Sequence, residues 1–336
     1  MKRRNIWKKT EVVLTMAAMV SAFLAGCGSS SSGSSSSTSE AVTGSSSSSV
    51  TSTASSSGGD GSIAAMKDNG DGTYTVTVAV LDAMAPYTYT DENGEFQGYD
   101  YEYMKALDEK LDKYNFEYES VGADAAPAAI QAGTYAMSVS AHFVTEARAE
   151  NFILSIPESY YPVNLISRKE DSFTSFEQLD GKSLVPNPPN DGLSVVLQQM
   201  SEEYPDVNYT QDATSEYIPY LEGLQDVIDG RYDCWFGGET MYNDLIASNP
   251  ELADESYCSE AITTAGCVCV INKNLTAFRE AVNEATVELY EDGTLSSLSE
   301  EYLGKDYFQT AEDTGSLFDY EGYTADQADW YMETFE

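Results

Sequence analysis

Two stretches of this chain run through the same alternation of strand and helix, and that alternation limits the fold more than any other feature. Residues 75–80 (Thr-Val-Thr-Val-Ala-Val) carry the two-residue period of a strand. The period then changes: Met104, Leu107 and Leu111 fall on one side of a helix over 101–111. Residues 116–119 alternate again, 125–132 read as a short helix and 137–140 as a strand. The pattern restarts with a helix at 172–179, a strand at 182–185, helices at 192–204 and 220–228, and a strand at 232–236. A strand at 267–271 and an amphipathic helix at 277–290 follow. One phrase recurs in both stretches: Ala132-Gly133-Thr134-Tyr135 and Asp229-Gly230-Arg231-Tyr232 each close a helix on glycine and enter a strand. Such an order specifies an α/β protein of two lobes built alike.

The first residues speak to the compartment. Lys2, Arg3, Arg4, Lys8 and Lys9 precede an apolar run over 12–24, which ends in Leu24-Ala25-Gly26-Cys27. A basic start, a short apolar stretch and small residues before a cut are the features of a secretory leader. The run is shorter than the ~20 apolar residues of a membrane span. Cysteine after Leu-Ala-Gly resembles the bacterial lipobox, which implies cleavage before Cys27, acylation of that residue and a lipid anchor in the bilayer. Residues 28–61 are almost entirely Ser, Thr and Gly, with nothing to bury. As a flexible tether their typical reach is ~30 Å, enough to lift a folded body off the lipid surface.

Charge narrows the partners. The chain holds 17 basic and 56 acidic residues, a net charge of −39. Removing residues 1–26, with five basic side chains and one acidic, makes it four units more negative. That field repels nucleic acid and disfavours multiply anionic ligands unless a local cation intervenes. Besides Cys27 there are Cys234, Cys258, Cys267 and Cys269, and the single histidine is His142. None has zinc spacing, so no metal and no other cofactor is expected. Free thiols and a Cys234–Cys258 disulfide both remain open.

Six short motifs, in order, resemble the bacterial extracellular solute-binding proteins of family 3, which serve polar amino-acid uptake by ABC transporters. Ala85-Pro86-Tyr87, then Gly94-Glu95-Phe96-Gln97-Gly98-Tyr99-Asp100-Tyr101-Glu102, is similar to the family's opening. Thr145-Glu146-Ala147-Arg148 resembles its T-x-x-R, and Leu154-Ser155-Ile156-Pro157 its F-S-x-P. Leu179-Asp180-Gly181-Lys182, Gly230-Arg231-Tyr232-Asp233 and Glu291-Asp292-Gly293-Thr294-Leu295 complete the set. The resemblance implies a type II periplasmic-binding-protein fold: two α/β lobes with mixed sheets, joined by two hinge strands, closing on a ligand between them. The expected layout is a leader over 1–26 and a tether over 27–66. Lobe 1 takes 67–161 and 262–310, lobe 2 takes 162–261, and an acidic tail fills 311–336. Residues 325–335 of that tail have a helical face, and the tail either packs on the body or stays loose.

The resemblance also implies a site. Arg148 stands where the family clamps a ligand carboxylate, and a planar guanidinium suits that task by donating two parallel hydrogen bonds. Thr145 and Ser140 are expected beside it. In the second lobe the family's small polar loop is replaced by Asn187-Pro188-Pro189-Asn190-Asp191, and Gly238 stands at its usual aspartate, followed by Glu239. Asp191 or Glu239 is then the partner for a ligand ammonium, with a helix N-cap as the other reading of Asp191. Tyr87, Met84 and Trp235 are candidates for an apolar wall. The expected protein is no enzyme. It is a monomeric, lipid-anchored binding protein on the outer face of the cell membrane, passing an amino acid or similar small carboxylate to an ABC permease. A ligand-sensing lipoprotein and a dehydratase-like enzyme on the same fold are the alternatives.

Overall fold

A computed structural model of the protein describes residues 63–81, 85–189, 191–214 and 216–335. Cys27 and Met84, and with them the leader and most of the tether, lie outside these residues.

The chain opens with β1 (Met66–Asp68), β2 (Tyr74–Leu81), β3 (Tyr89–Thr90), β4 (Phe96–Gln97) and α1 (Tyr99–Lys110). It continues through β5 (Tyr114–Val121), α2 (Ala126–Gln131), β6 (Met137–Val139), α3 (Glu146–Asn151) and β7 (Ile153–Arg168). The second run is β8 (Ser183–Leu184), α4 (Gly192–Glu203), β9 (Thr210–Gln211), α5 (Tyr220–Ile228), β10 (Cys234–Gly237) and α6 (Glu239–Ser248). Then come β11 (Ser256–Cys258), β12 (Thr263–Ile271), α7 (Thr276–Glu291), α8 (Thr294–Leu298) and α9 (Tyr307–Thr314).

Hydrogen bonding runs continuously along the order β1-β2-β6-β12-β7-β10-β8-β9, with β5 beside β2 and β11 beside β7. β2 pairs in parallel with β5 and β6, and β8 in parallel with β9 and β10. β7 and β12 run antiparallel through the middle. The sheets are therefore mixed in both halves, and β7 and β12 join them as the two hinge strands. At 16 residues, β7 is ~50 Å long, so its first part serves one half and its last part the other. Every residue of β7 between Leu154 and Ser167 is buried. Opposite Cys267 and Val268 the register skips Glu158, a bulge that turns one extra side chain out of the regular alternation.

The two recurring glycines behave alike: Gly133 and Gly230 both have φ of 76°, the left-handed closure that a side chain would resist. The helix expected over 172–179 shrinks to one 3-10 turn, Phe176–Leu179. Ser172 takes φ of 44°, which a right-handed helix cannot contain, and a Ser175/Gln178 capping box starts the turn instead.

The acidic tail packs on the body. α9 continues across position 311. Beyond it, the Tyr320 hydroxyl donates to the Pro157 carbonyl at 2.7 Å, and the Trp330 indole N–H to the Ser155 carbonyl at 3.1 Å. The Tyr331 hydroxyl accepts from the Leu154 amide, and Asp329 pairs with the buried Arg279. Tyr320 also stacks on Tyr290, with ring centroids 4.1 Å apart. Residues 325–335 form two 3-10 turns, Ala325–Gln327 and Trp330–Phe335, rather than one helical face. Among the described residues all four cysteines are free thiols, and no helix is long and apolar enough to cross a membrane.

Candidate functional site

The loop after β6 builds one side of the site. Ser140 is buried, and its hydroxyl has no partner among the described residues. Ala141 takes φ of 44°, and its amide donates to the Asp100 carboxylate at 3.0 Å, which pins this unusual turn. His142 Nε2 meets the Ser138 hydroxyl at 3.0 Å, and the His142 carbonyl accepts from the Val268 amide. Thr145 then caps α3, its hydroxyl accepting from the Arg148 amide at 3.3 Å.

That cap places Arg148 within α3. Its Nη1 donates to the Phe143 carbonyl at 2.7 Å. No carboxylate lies within ion-pair distance of it among the described residues, although the chain carries 56 acids. Burial lowers the pKa of this guanidinium, partly offset by Tyr217 and Asp191 nearby. Burial, and then the Arg148 charge, push His142 down to about 3, so its ring is neutral at physiological pH.

Arg148 faces a cavity of about 740 Å³. The size suits a small organic ligand. Ser140, His142 and Phe143 line it from the loop, and Asn151 from α3. Asp191, Tyr217 and Tyr220 line it from the second half of the chain. With His142 neutral, Arg148 is the one cationic side chain among its described walls.

The sequence-predicted residues divide. Arg148 and Ser140 come together on the cavity, and Thr145 supports Arg148 from behind. Asp191 also lines it, while acting as the N-cap of α4: one oxygen accepts from the Leu193 amide at 2.9 Å and the other from the Tyr217 hydroxyl at 3.0 Å. Glu239 is placed elsewhere, at the start of α6. It accepts from the Tyr307 hydroxyl at 3.1 Å and faces Lys305 at 3.4 Å. Tyr87 is fully buried below the loop, among Cys267, Tyr161 and Asp100, and is not part of the cavity wall. Trp235 is buried behind the wall and stacks on Tyr220 at 5.5 Å.

Two glycines show how the halves meet. A Cβ on Gly192 would lie 2.2 Å from the Phe143 ring, and one on Gly238 would lie 2.3 Å from the Tyr161 hydroxyl. Tyr161 thus fills the space that an aspartate at 238 would need. Tyr217 and Tyr220 escaped the sequence reading because nothing local separates them from the other tyrosines, 24 in all.

Comparison with known proteins gives this geometry its context. Residues 76–305 match the profile of the bacterial extracellular solute-binding proteins, family 3. The L-cystine-binding protein TcyK of Bacillus subtilis is 23% identical over 240 residues, covering 69% of this chain and 85% of the relative. ABC transporter arginine-binding protein 1 of Escherichia coli is 22% identical, covering 65% and 86%. Among solved structures, a probable amino-acid ABC transporter extracellular-binding protein from B. subtilis superposes with a TM-score of 0.56 at 21% identity, covering 70% of this chain and all of that one. The unliganded, open L-cystine solute receptor of Neisseria gonorrhoeae gives 0.52 at 23% identity, covering 69% and 93%. These relatives are binding proteins by name, and the match spans most of the folded body: the chain belongs to the bacterial extracellular solute-binding proteins of family 3.

Proposed function

We propose that this protein captures an amino acid on the outer face of the cell membrane and delivers it to an ABC permease. The observation that carries the reading is Arg148: a largely desolvated guanidinium on a cavity, with no carboxylate partner among the described residues of a strongly acidic chain. A half-buried charge held by one carbonyl and no counter-ion is costly, and a ligand carboxylate supplies what it lacks. Ser140 offers a free hydroxyl beside it. Asp191, which lines the same cavity while accepting from the Leu193 amide and the Tyr217 hydroxyl, is the remaining candidate for the ammonium. Glu239 is the weaker one, since Lys305 and Tyr307 already engage it.

The layout proposed with this function has a leader over 1–26, acylation at Cys27, a tether over 27–66, and lobes that divide near 161 and 262. One chain suffices for capture, so the working form is a monomer. Ser138 and His142 meet on the cavity wall at 3.0 Å, but a His142 ring held down to about 3 is a poor general base, which favours binding over catalysis. Cystine and arginine, bound by the named relatives, head the ligands to try. The chain's net charge favours zwitterionic and cationic amino acids over aspartate and glutamate.

Calorimetric titration of wild type, Arg148→Ala and Arg148→Lys with the best ligand from a thermal-shift screen tests the reading. Truncating one side of a desolvated pair costs about 2–5 kcal/mol, or roughly 30- to several-thousand-fold in affinity. Lysine is expected to rescue only part, because a point charge cannot reproduce the fork. Unchanged affinity in folded Arg148→Ala removes Arg148 from the site and with it the carboxylate ligand.

A further inference from the structure

A second cavity, of about 270 Å³, meets the first at Phe143. α4 supplies Val195 and Met200 to its wall, β12 supplies Thr263 and Ala265, and the tail supplies Trp330. Among the described residues, one side chain lines both cavities: Phe143. Its ring stands edge-on to Tyr161, with centroids 5.2 Å apart, and rests directly on the Gly192 backbone at the start of α4. Its carbonyl is held by Arg148. The ring therefore sits at the meeting of both halves of the chain, with space on either side. It is anchored to the same guanidinium that the proposed function assigns to the ligand.

We propose that Phe143 is a specificity-determining partition, which limits the length of ligand the Arg148 cavity accepts. The ring is large, rigid and apolar, and it has a purpose-built seat. Glycine at 192 is what lets it approach the helix, since any side chain there would overlap the ring. A ligand whose carboxylate binds Arg148 meets this ring when it extends toward the hinge strands. The two spaces together amount to about 1000 Å³, and joining them by removing the ring would let the chain take an α-carboxylate compound extended by another residue's length. This inference rests on the Arg148 site being the ligand site.

The test uses the mature protein and its Phe143→Ala, Phe143→Leu and Arg148→Ala variants. The probes are the amino acids, including cystine, and the Ala-Ala and Ala-Ala-Ala peptides. Folding is checked by circular dichroism, and binding is measured by thermal shift and calorimetry. Wild type is expected to prefer single amino acids. Phe143→Ala is expected to gain at least tenfold in affinity for the peptides relative to the best amino acid, and Phe143→Leu less. An unchanged ranking in a folded Phe143 variant overturns the partition, and if the alanine variant does not fold, the leucine variant decides. If Arg148→Ala leaves binding intact, or if no probe binds any folded protein, the site reading falls instead, and the partition with it.

Discussion

Replacing Glu158 with glutamine is expected to stabilise the protein above pH 7 and to change little at pH 4.5. The reason is a pair of acids at the core of the molecule. Glu158 is the bulged residue of β7, and Asp100 lies in the first turn of α1; both are fully buried. Asp100 accepts from the Ala141 amide and the Thr88 hydroxyl, and Glu158 from the Ser159 hydroxyl. Each keeps one oxygen without a partner among the described residues. The groups facing them are Tyr87, Tyr99, Tyr103 and Tyr320, with Cys267 and Cys269, none of them cationic.

Burial pushes Asp100 up to about 7 against those two hydrogen bonds, and burial followed by the Asp100 charge pushes Glu158 well above its ordinary range. In the unfolded chain both titrate near 4. The folded state therefore binds protons more tightly. The stability it gains is whole below pH ~4 and is lost as pH rises through the folded pKa values. For Asp100 alone, the rise from 3.8 to about 7 corresponds to on the order of 4 kcal/mol across that window. In a body of this size that is about 8–16 °C in Tm. Glutamine at 158 has no proton to lose and removes the charge that opposes ionisation of Asp100. Differential scanning calorimetry of wild type, Glu158→Gln and Asp100→Asn from pH 4.5 to 8.5 reads the effect. The acidic surface lowers every Tm as pH rises, so the gap between variant and wild type is the measure. A gap that is constant with pH, or that favours the variants at low pH, refutes the reasoning.

Three further outcomes are expected. Gly192→Ala places a methyl group into the Phe143 ring and should cost about 1–3 kcal/mol; adding Phe143→Ala should recover part of it, and purely additive losses in a double-mutant cycle would show that the two do not touch. Ending the chain after Gly315 strips Tyr320, Trp330 and Tyr331 from β7 and leaves Arg279 buried without Asp329; Tm should fall by well over 5 °C, whereas an unchanged melt would make the tail dispensable. Cys27→Ala should leave the protein unprocessed or released from membranes in a fractionation assay, and wild-type membrane partitioning would end the lipid-anchor proposal.

Local chain chemistry decides much of this protein. The helix over 220–228 is α5 to the residue, because its apolar positions repeat at helical spacing and glycine follows where the chain must turn left-handed. Gly133 and Gly230 announce two halves built alike, and the order of short motifs carries the family and points to Arg148. Those signals lie within a few residues of one another, so no tertiary contact is needed to read them. β7 could not be read this way. It is covered on both faces, so it lacks strand alternation, and Pro157 and Pro162 argue against a central strand. The same limit applies to the site. Asp191 reaches the cavity while Glu239, equally acidic in sequence, turns to Lys305 and Tyr307. Tyr217 and Tyr220 become walls, and Tyr87 becomes core. The seat of Phe143 on Gly192 joins residues 49 positions apart. Which side chain faces a cavity depends on what packs behind it, and that is decided only when distant segments meet.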